Sequence, residues 1–496
     1  MKKSILFIYA SLILGSVAAQ TPIVQTIIQD KQSFYFIDFA KYPQRNTALP
    51  VGVFDSGTGG LTVLNAIVNF DGHNNISGEN KADGVPDFSK EDFIYLADQA
   101  NMPYGNYSAV NKTNLLNEHI IKDAQFMLGN KYYIAPAACR TNKKPVKVLV
   151  IACNTATAYG KEKIEKFIAE TGTDIHVIGV IDAGVRGALQ TFGEAESGTV
   201  GIFATAGTVA SKGYTNTLAR LQKELNYTGE IQYFSVGGVG LAEAIDEQPD
   251  YINRKAVEVR AAYRGPSLGS DNLLIDKTLM DIYNFDFSEY KMLCDAKKVD
   301  DCSQLQINSA NNYVRYHLVS LLENMRKTPN AMPLKTLILG CTHYPFMTAT
   351  IDQVLKELYN YQKDGEYRYR QLLNEKVNLI DPSVNTAQEL YDFMQEQRLF
   401  NAAGSLKNTE FYISVPNTLN KKVEIDANGN FTYDYKYGRT EGQNEEYVHN
   451  MPFSKTNISK DVFDRLQSQI PAVYGLIETF WKENKKVAYL RKSPSK

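Results

Sequence analysis

Two cysteines sit where a thiol can do acid–base work. Cys153 closes the run Val146-Lys147-Val148-Leu149-Val150-Ile151-Ala152 and is followed by Asn154-Thr155-Ala156-Thr157-Ala158. Cys341 closes Lys335-Thr336-Leu337-Ile338-Leu339-Gly340 and is followed by Thr342-His343-Tyr344-Pro345. A free thiol titrates near roughly 8.5, so a modest local shift yields thiolate at neutral pH. Two such groups on opposite sides of one carbon can take a proton from one face and return one to the other. One cysteine at a strand end is more often a small buried residue. The recurrence of apolar run, cysteine, small polar residues and helix is what points to chemistry.

The elements around them follow from the pattern. Continuous apolar runs of this length suit strands of a parallel sheet covered on both faces. Ligands of open α/β sheets bind at the carboxyl ends of such strands. Each thiol is therefore expected near a helix N-terminus, where partial positive charge favours thiolate and anions. The alternation starts at Pro50-Val51-Gly52-Val53-Phe54 and runs into Asp55-Ser56-Gly57-Thr58-Gly59-Gly60-Leu61-Thr62-Val63-Leu64: a strand, a glycine-rich turn, a helix start. No Gly-Lys-Ser/Thr follows, so this is not a Walker-type nucleotide loop. Residues 92–98, 175–181, 199–203, 231–236 and 377–380 read as further strands, with helices over 109–128, 157–170, 183–191, 312–327, 383–398 and 459–483. The fold class is α/β, with doubly wound, mostly parallel sheets joined by right-handed crossovers. Asp83-Gly84-Val85-Pro86-Asp87 reads as a solvated loop, since Lys81 stands where a calcium site wants oxygen.

The bulk numbers agree with a packed globular protein of two or more domains. The chain has 496 residues, 44% hydrophobic and 22% charged, with a net charge of −2. That balance carries no basic stripe for nucleic acid. Lys2-Lys3, the apolar run Ile5 to Leu14 and Gly15-Ser16-Val17-Ala18-Ala19-Gln20 form a charged, an apolar and a small-residue region in the order of a secretory signal peptide. The expectation is an exported, periplasmic protein cleaved near Ala19, with no membrane span once the signal is removed. Export makes the five cysteines informative. Cys294 and Cys302 lie close together and can pair. Cys153 and Cys341 are expected to stay thiols, because sulfurs facing each other across a ligand are too far apart to bridge. Cys139 falls in a loop-like stretch outside the motifs.

At this point the residues resemble a known family. Val51-Gly52-Val53-Phe54-Asp55-Ser56-Gly57-Thr58-Gly59-Gly60, Pro103-Tyr104-Gly105 and Ala152-Cys153-Asn154-Thr155-Ala156 are similar to glutamate racemases, of the cofactor-independent aspartate/glutamate racemase superfamily. The likeness continues through Ala204-Thr205-Ala206-Gly207-Thr208-Val209, Leu241-Ala242-Glu243 and Gly340-Cys341-Thr342-His343-Tyr344-Pro345, in the family's order. The resemblance implies two α/β domains facing across a central cleft, with the chain crossing twice. The first takes residues 50–195 and 376–482. The second takes 196–375 and carries an insertion at about 260–310. Residues 20–49 form a surface extension.

It further implies that Cys153 and Cys341 are the catalytic acid/base pair, assisted by Asp55, His343 and Glu243. Asp55, Ser56, Tyr104, Gly105, Asn154, Thr155, Thr205, Thr342 and His343 would hold the substrate. No pyridoxal or other cofactor and no metal is implied. The partner is a small-molecule amino acid, and a homodimer is one candidate state. Three departures stand out. Ser235-Val236 occupy the strand where the family carries Cys-Pro, the insertion and the stretch after 400 exceed the family plan, and export does not suit the supply of D-glutamate for peptidoglycan precursors inside the cell. The alternatives are a racemase of aspartate or another amino acid, and a non-catalytic periplasmic amino-acid-binding protein on the same fold. A binder, however, needs neither thiol.

Overall fold

The structure, a computed structural model, describes residues 22–491. The expected signal peptide lies outside them. Among the described residues no helix is long and apolar enough to cross a membrane.

Two sheets carry the molecule. The first uses β1 (Val51–Asp55), β2 (Phe93–Ala97), β3 (Val148–Ile151) and β4 (His176–Gly179). The second uses β5 (Gly198–Ala204), β6 (Ile231–Gly237), β7 (Leu334–Gly340) and β8 (Leu373–Ile380). The chain then returns to the first sheet with β9 (Glu410–Pro416) and β10 (Val448–Pro452). The strand orders are β10-β9-β2-β1-β3-β4 and β8-β7-β5-β6. All pairings are parallel except that of β9 with β10. The runs β1, β2, β3 and β5 are buried at every residue, as strands covered on both faces must be.

Both orders reverse at a corresponding place. From β1 the chain leaves toward β2, whereas from β3 it leaves toward β4 on the opposite side. From β5 it leaves toward β6, and from β7 toward β8. The crevices between β1 and β3, and between β5 and β7, are therefore topological switch points, where the crossover connections part and leave room for a ligand. Asp55 and Cys153 stand at the first, and Thr205 and Cys341 at the second.

Helices cover the faces: α1 (Pro22–Gln29), α2 (Leu61–Val68), α3 (Thr113–Leu128), α4 (Asn154–Thr171), α5 (Val180–Leu189), α6 (Gly213–Glu224), α7 (Leu241–Ile245), α8 (Ala310–Arg326), α9 (Thr348–Asn360), α10 (Pro382–Glu396), α11 (Lys460–Gln469) and α12 (Pro471–Glu483). A continuous core joins the units, running from Val53 and Val150 through Val185 and Ala387 to Ile202 and Ile338. Helices α5 and α10 pass closely there: a Cβ on Gly184 would stand 2.9 Å from Pro382 Cβ.

Several expectations change. The second crossing comes after β8, which belongs to the second sheet, a few residues beyond position 376. The part of the expected 20–49 extension that the structure describes, from Pro22 on, is not superficial, because Ile23, Val24 and Ile27 of α1 are buried in the core beside α3. The polar, tyrosine-rich stretch after 400 supplies two strands whose pairing no local periodicity announces. Pro471, which lacks an N–H, divides the final helix into α11 and α12. Within the insertion Cys294 and Cys302 form a disulfide, and Cys139, Cys153 and Cys341 are free thiols. In the 70–91 loop the carboxylates of Asp71, Asp83 and Asp87 accept backbone N–H groups.

Candidate active site

The carboxyl ends of β1, β3, β5 and β7 open into one cleft of about 1300 Å³, lined by both Cys153 and Cys341. Its walls meet closely at two places. A Cβ on Gly59 would stand 3.1 Å from Thr342 Oγ1 and 3.7 Å from Asp55 Oδ2. A Cβ on Gly105 would stand 3.6 Å from Gly207 Cα. Glycine at these positions lets loops from the two units approach each other.

The first wall is built by the turn after β1 and the start of α4. Asp55 Oδ2 accepts N–H bonds from Gly57 at 3.1 Å and Gly60 at 2.9 Å. A Cβ on Gly60 would fall 2.4 Å from Asp55 Cβ, so the turn requires glycine there. Tyr95 donates to Gly57 O at 2.7 Å and braces the turn from beneath. Cys153 is the N-cap of α4: its Sγ accepts from Ala156 N–H at 3.4 Å, and its thiol donates to Ser56 Oγ at 3.6 Å. The expected ease of ionisation is not what this site gives. Burial, and then the charge of Asp55, push the Cys153 thiol up to about 12, against the smaller opposing pull of the Ala156 N–H. Burial also raises the Asp55 carboxyl. Cys153 is thus a thiol at neutral pH, a proton donor.

The second wall differs. Cys341 follows β7, but α9 starts only at Thr348, after a single tight turn over Tyr344–Met347. The expectation of a helix N-terminus at this sulfur fails, because Pro345 and the tight turn delay the helix. The neighbour of Cys341 is a side chain instead. His343 Nδ1 lies 3.8 Å from Cys341 Sγ, and its Nε2 lies 3.2 Å from Asp246 Oδ1. Burial alone would lower the imidazole, but Asp246 and Cys341 outweigh it and hold His343 up at about 10. His343 is an imidazolium at neutral pH. One thiol is accordingly buried beside a carboxylate and the other beside a cation, the polarisation a proton donor and a proton acceptor need.

The remaining expected residues divide. Ser56, Gly105, Asn154, Thr155, Thr205, Thr342 and Glu243 all line the cleft. Asn154 is fixed by Tyr214, whose hydroxyl donates to Asn154 Oδ1 at 2.8 Å. Thr205 caps the short helix Ala206–Ala210 through Thr208 N–H. Tyr104 also lines the cleft, yet its hydroxyl points into a buried acid pair, 2.6 Å from Asp98 Oδ2 and 2.6 Å from Asp123 Oδ2. One O–H proton serves one carboxylate, so the pair must hold a second proton; burial, and then Asp98, raise Asp123. Tyr104 is therefore tied from behind and offers the cleft little beyond its backbone and ring.

Glu243 lines the wall, but the carboxylate that meets His343 is Asp246, one helical turn later. The shift of three residues keeps the same helix face, the only signal by which sequence reading could have found it. Arg465 of α11 reaches the same Asp246 Oδ1 at 3.4 Å. Tyr214 and Arg465 carry no motif and emerge only from the fold.

The chain is similar to glutamate racemases along most of its length. It is 25% identical to the enzyme of Oceanobacillus iheyensis over 362 residues, covering 73% of this chain and 85% of the relative. It is 28% identical to that of Aquifex pyrophilus over 304 residues, covering 61% of this chain and 98% of the relative. Among solved structures, a glutamate racemase from Bacillus anthracis matches 74% of this chain and 88% of its own, with 21% identity and a TM-score of 0.42. One from Francisella tularensis, in complex with D-glutamate, matches 80% and 95%, with 21% identity and a TM-score of 0.40. No protein-family model matches the chain.

Proposed function

We propose that this chain interconverts L-glutamate and D-glutamate without a cofactor, using Cys153 and Cys341 as the two acid/base groups. The single observation that carries the reading is that two of the three free thiols, Cys153 and Cys341, line one cleft at equivalent switch points, with opposite electrostatic surroundings. Similarity to glutamate racemases supplies the substrate.

In one direction the thiolate at Cys341, beside the His343 imidazolium, takes the α-proton. The Cys153 thiol gives its proton to the opposite face of the same carbon. The Cα–H bond breaks on one side, an S–H bond breaks on the other, and no net proton is consumed. The pair ends with its protons exchanged, ready for the reverse direction. Charge that develops on the α-carboxylate as the bond breaks is met by N–H groups at the start of α4, from Asn154 and Thr155, where preorganised donors are most effective. Asp55, beside Cys153, keeps that proton on sulfur until the opposite face of the carbon takes it. General acid–base assistance of this type is worth ~10²–10⁴-fold.

The experiment is incubation with L-glutamate or D-glutamate in deuterated water, followed by chiral analysis. Inversion with deuterium at Cα is expected, with aspartate turned over more slowly. Binding without exchange would instead indicate an amino-acid-binding protein. Cys153→Ser and Cys341→Ser should each lower inversion by at least ~10³-fold, because a serine hydroxyl is far too weak an acid to replace the thiol. Full activity in Cys341→Ser would end the two-thiol reading.

Export is part of the proposal. The Cys294–Cys302 disulfide supports it, since such bonds persist in oxidising compartments. N-terminal sequencing of the mature protein, with a new terminus near Gln20, is the check.

A further inference from the structure

We propose that Arg465, delivered by the C-terminal helix α11, is a positioning residue for the Cys341 half of the site, acting through Asp246 and His343. The inference rests on Cys341 being one of the two working thiols. Its evidence is a chain of contacts. Arg465 NH1 lies 3.4 Å from Asp246 Oδ1, and the same oxygen lies 3.2 Å from His343 Nε2. His343 Nδ1 in turn lies 3.8 Å from Cys341 Sγ. Among the described residues lining the cleft the carboxylates are Asp55, Glu243 and Asp246, and Arg465 is the one lysine or arginine.

The chain of contacts also bridges the molecule. Asp246 ends α7 in the second unit. Helix α11 is anchored in the first, with Phe463 and Leu466 buried in the core and Phe463 edge-on against Trp481 of α12. Arg465 thus holds the acid of one wall from a helix fixed to the other.

The physical consequence is specific. Two cations share one largely buried carboxylate oxygen. Neither contact is aligned as a hydrogen bond, so the carboxylate is held by charge from both sides. Without Arg465, Asp246 loses one of its two anchors and follows His343 alone. The positive potential at Cys341 falls, and its sulfur becomes less reactive toward an electrophile. Cys153, on the other wall, has Asp55 and Ser56 as neighbours and does not feel the change.

The test reads the thiols directly and needs no turnover. Wild type, Arg465→Met and Arg465→Lys are alkylated with iodoacetamide at neutral pH without substrate, and each cysteine peptide is followed by mass spectrometry. Arg465→Met should slow Cys341 alkylation about three- to tenfold, the effect of weakening the positive surroundings of a reacting sulfur. Cys153 should stay within about twofold, and Arg465→Lys should recover most of the loss. In an Asp246→Asn background, Arg465→Met should have no further effect.

An unchanged Cys341 rate in Arg465→Met would overturn the proposal, as would equal slowing of both thiols, which signifies general loosening of the cleft. A rise in KM for glutamate with Cys341 alkylation unchanged would also overturn it, assigning Arg465 to the substrate. Because alkylation is independent of racemisation, the predicted pattern in a protein without racemase activity would refute the proposed function and leave standing only the coupling of Arg465 to the Cys341 sulfur.

Discussion

Cys153 and Cys341 end equivalent strands, yet their neighbours make them unequal. Burial and Asp55 hold the first as a thiol, while the imidazolium of His343 stands against the second. The sign of the pH dependence follows. His343 is raised to about 10, so activity that needs the imidazolium is complete below that value and is lost as pH rises through it. The groups facing His343 are Cys341, the Thr342 hydroxyl, Asp246 and, beyond Asp246, Arg465. Asp246→Asn removes the carboxylate and should move the alkaline limb of kcat/KM down toward the ordinary imidazole range. If the limb reaches about 7, only about a tenth of the molecules keep the proton at about pH 8, and kcat/KM there falls about tenfold. A limb that stays in place would show that Asp246 is not the partner. The two cysteines and His343 were legible because each sits in a strand-end motif. Asp246 was not, because nothing in the run Leu241-Ala242-Glu243-Ala244-Ile245-Asp246 says which of two acids on one helix face reaches the imidazole.

At the scale of elements, the switch points explain why both thiols face the same space. Crossovers leaving in opposite directions open a crevice beside each cysteine-bearing strand, and α5 with α10 clamps the units so that the crevices oppose. That clamp depends on Gly184. Gly184→Val introduces side-chain atoms where even a Cβ would be 2.9 Å from Pro382 Cβ. Valine has little helix advantage over glycine to offset this, so a loss of about 1–3 kcal/mol is expected in denaturant unfolding. A variant as stable as the parent would mean that the helices separate freely. The strands, most of the helices and their alternation were legible from apolar period and turn residues. The pairing of β9 and β10 was not, since strand partners distant in sequence leave no local mark.

At the scale of the whole molecule, a buried ion pair at the amino ends of β2 and β3, away from the cleft, ties together segments far apart in the chain. Lys147 Nζ lies 2.7 Å from Glu91 Oε2, with both side chains 1% exposed. The ammonium also donates to Thr47 O and Leu399 O, and Glu91 Oε1 accepts from Asn401 N–H. One contact therefore gathers the N-terminal extension, the first sheet and the returning tail. Lys147→Met leaves Glu91 buried without its cation, a change that costs about 3–5 kcal/mol. Thermal unfolding should show it, and Lys147→Met with Glu91→Leu should recover much of the loss. Equal stability of Lys147→Met and wild type would remove this pair from the account of how the segments are held.

The sequence by itself determined the α/β class, the two strand-end thiols and the glycine-rich turn, because each depends on local spacing and residue type; that Cys294 and Cys302 could pair was legible, and the structure decided that they do. Tertiary structure alone decided which acid meets His343, that Tyr104 turns its hydroxyl away, that Cys153 is held protonated, and that a helix from the far C-terminal region enters the site. Those depend on how side chains from separate elements meet in space and on how deeply each charge is taken out of water, and neither quantity is written in the order of the residues.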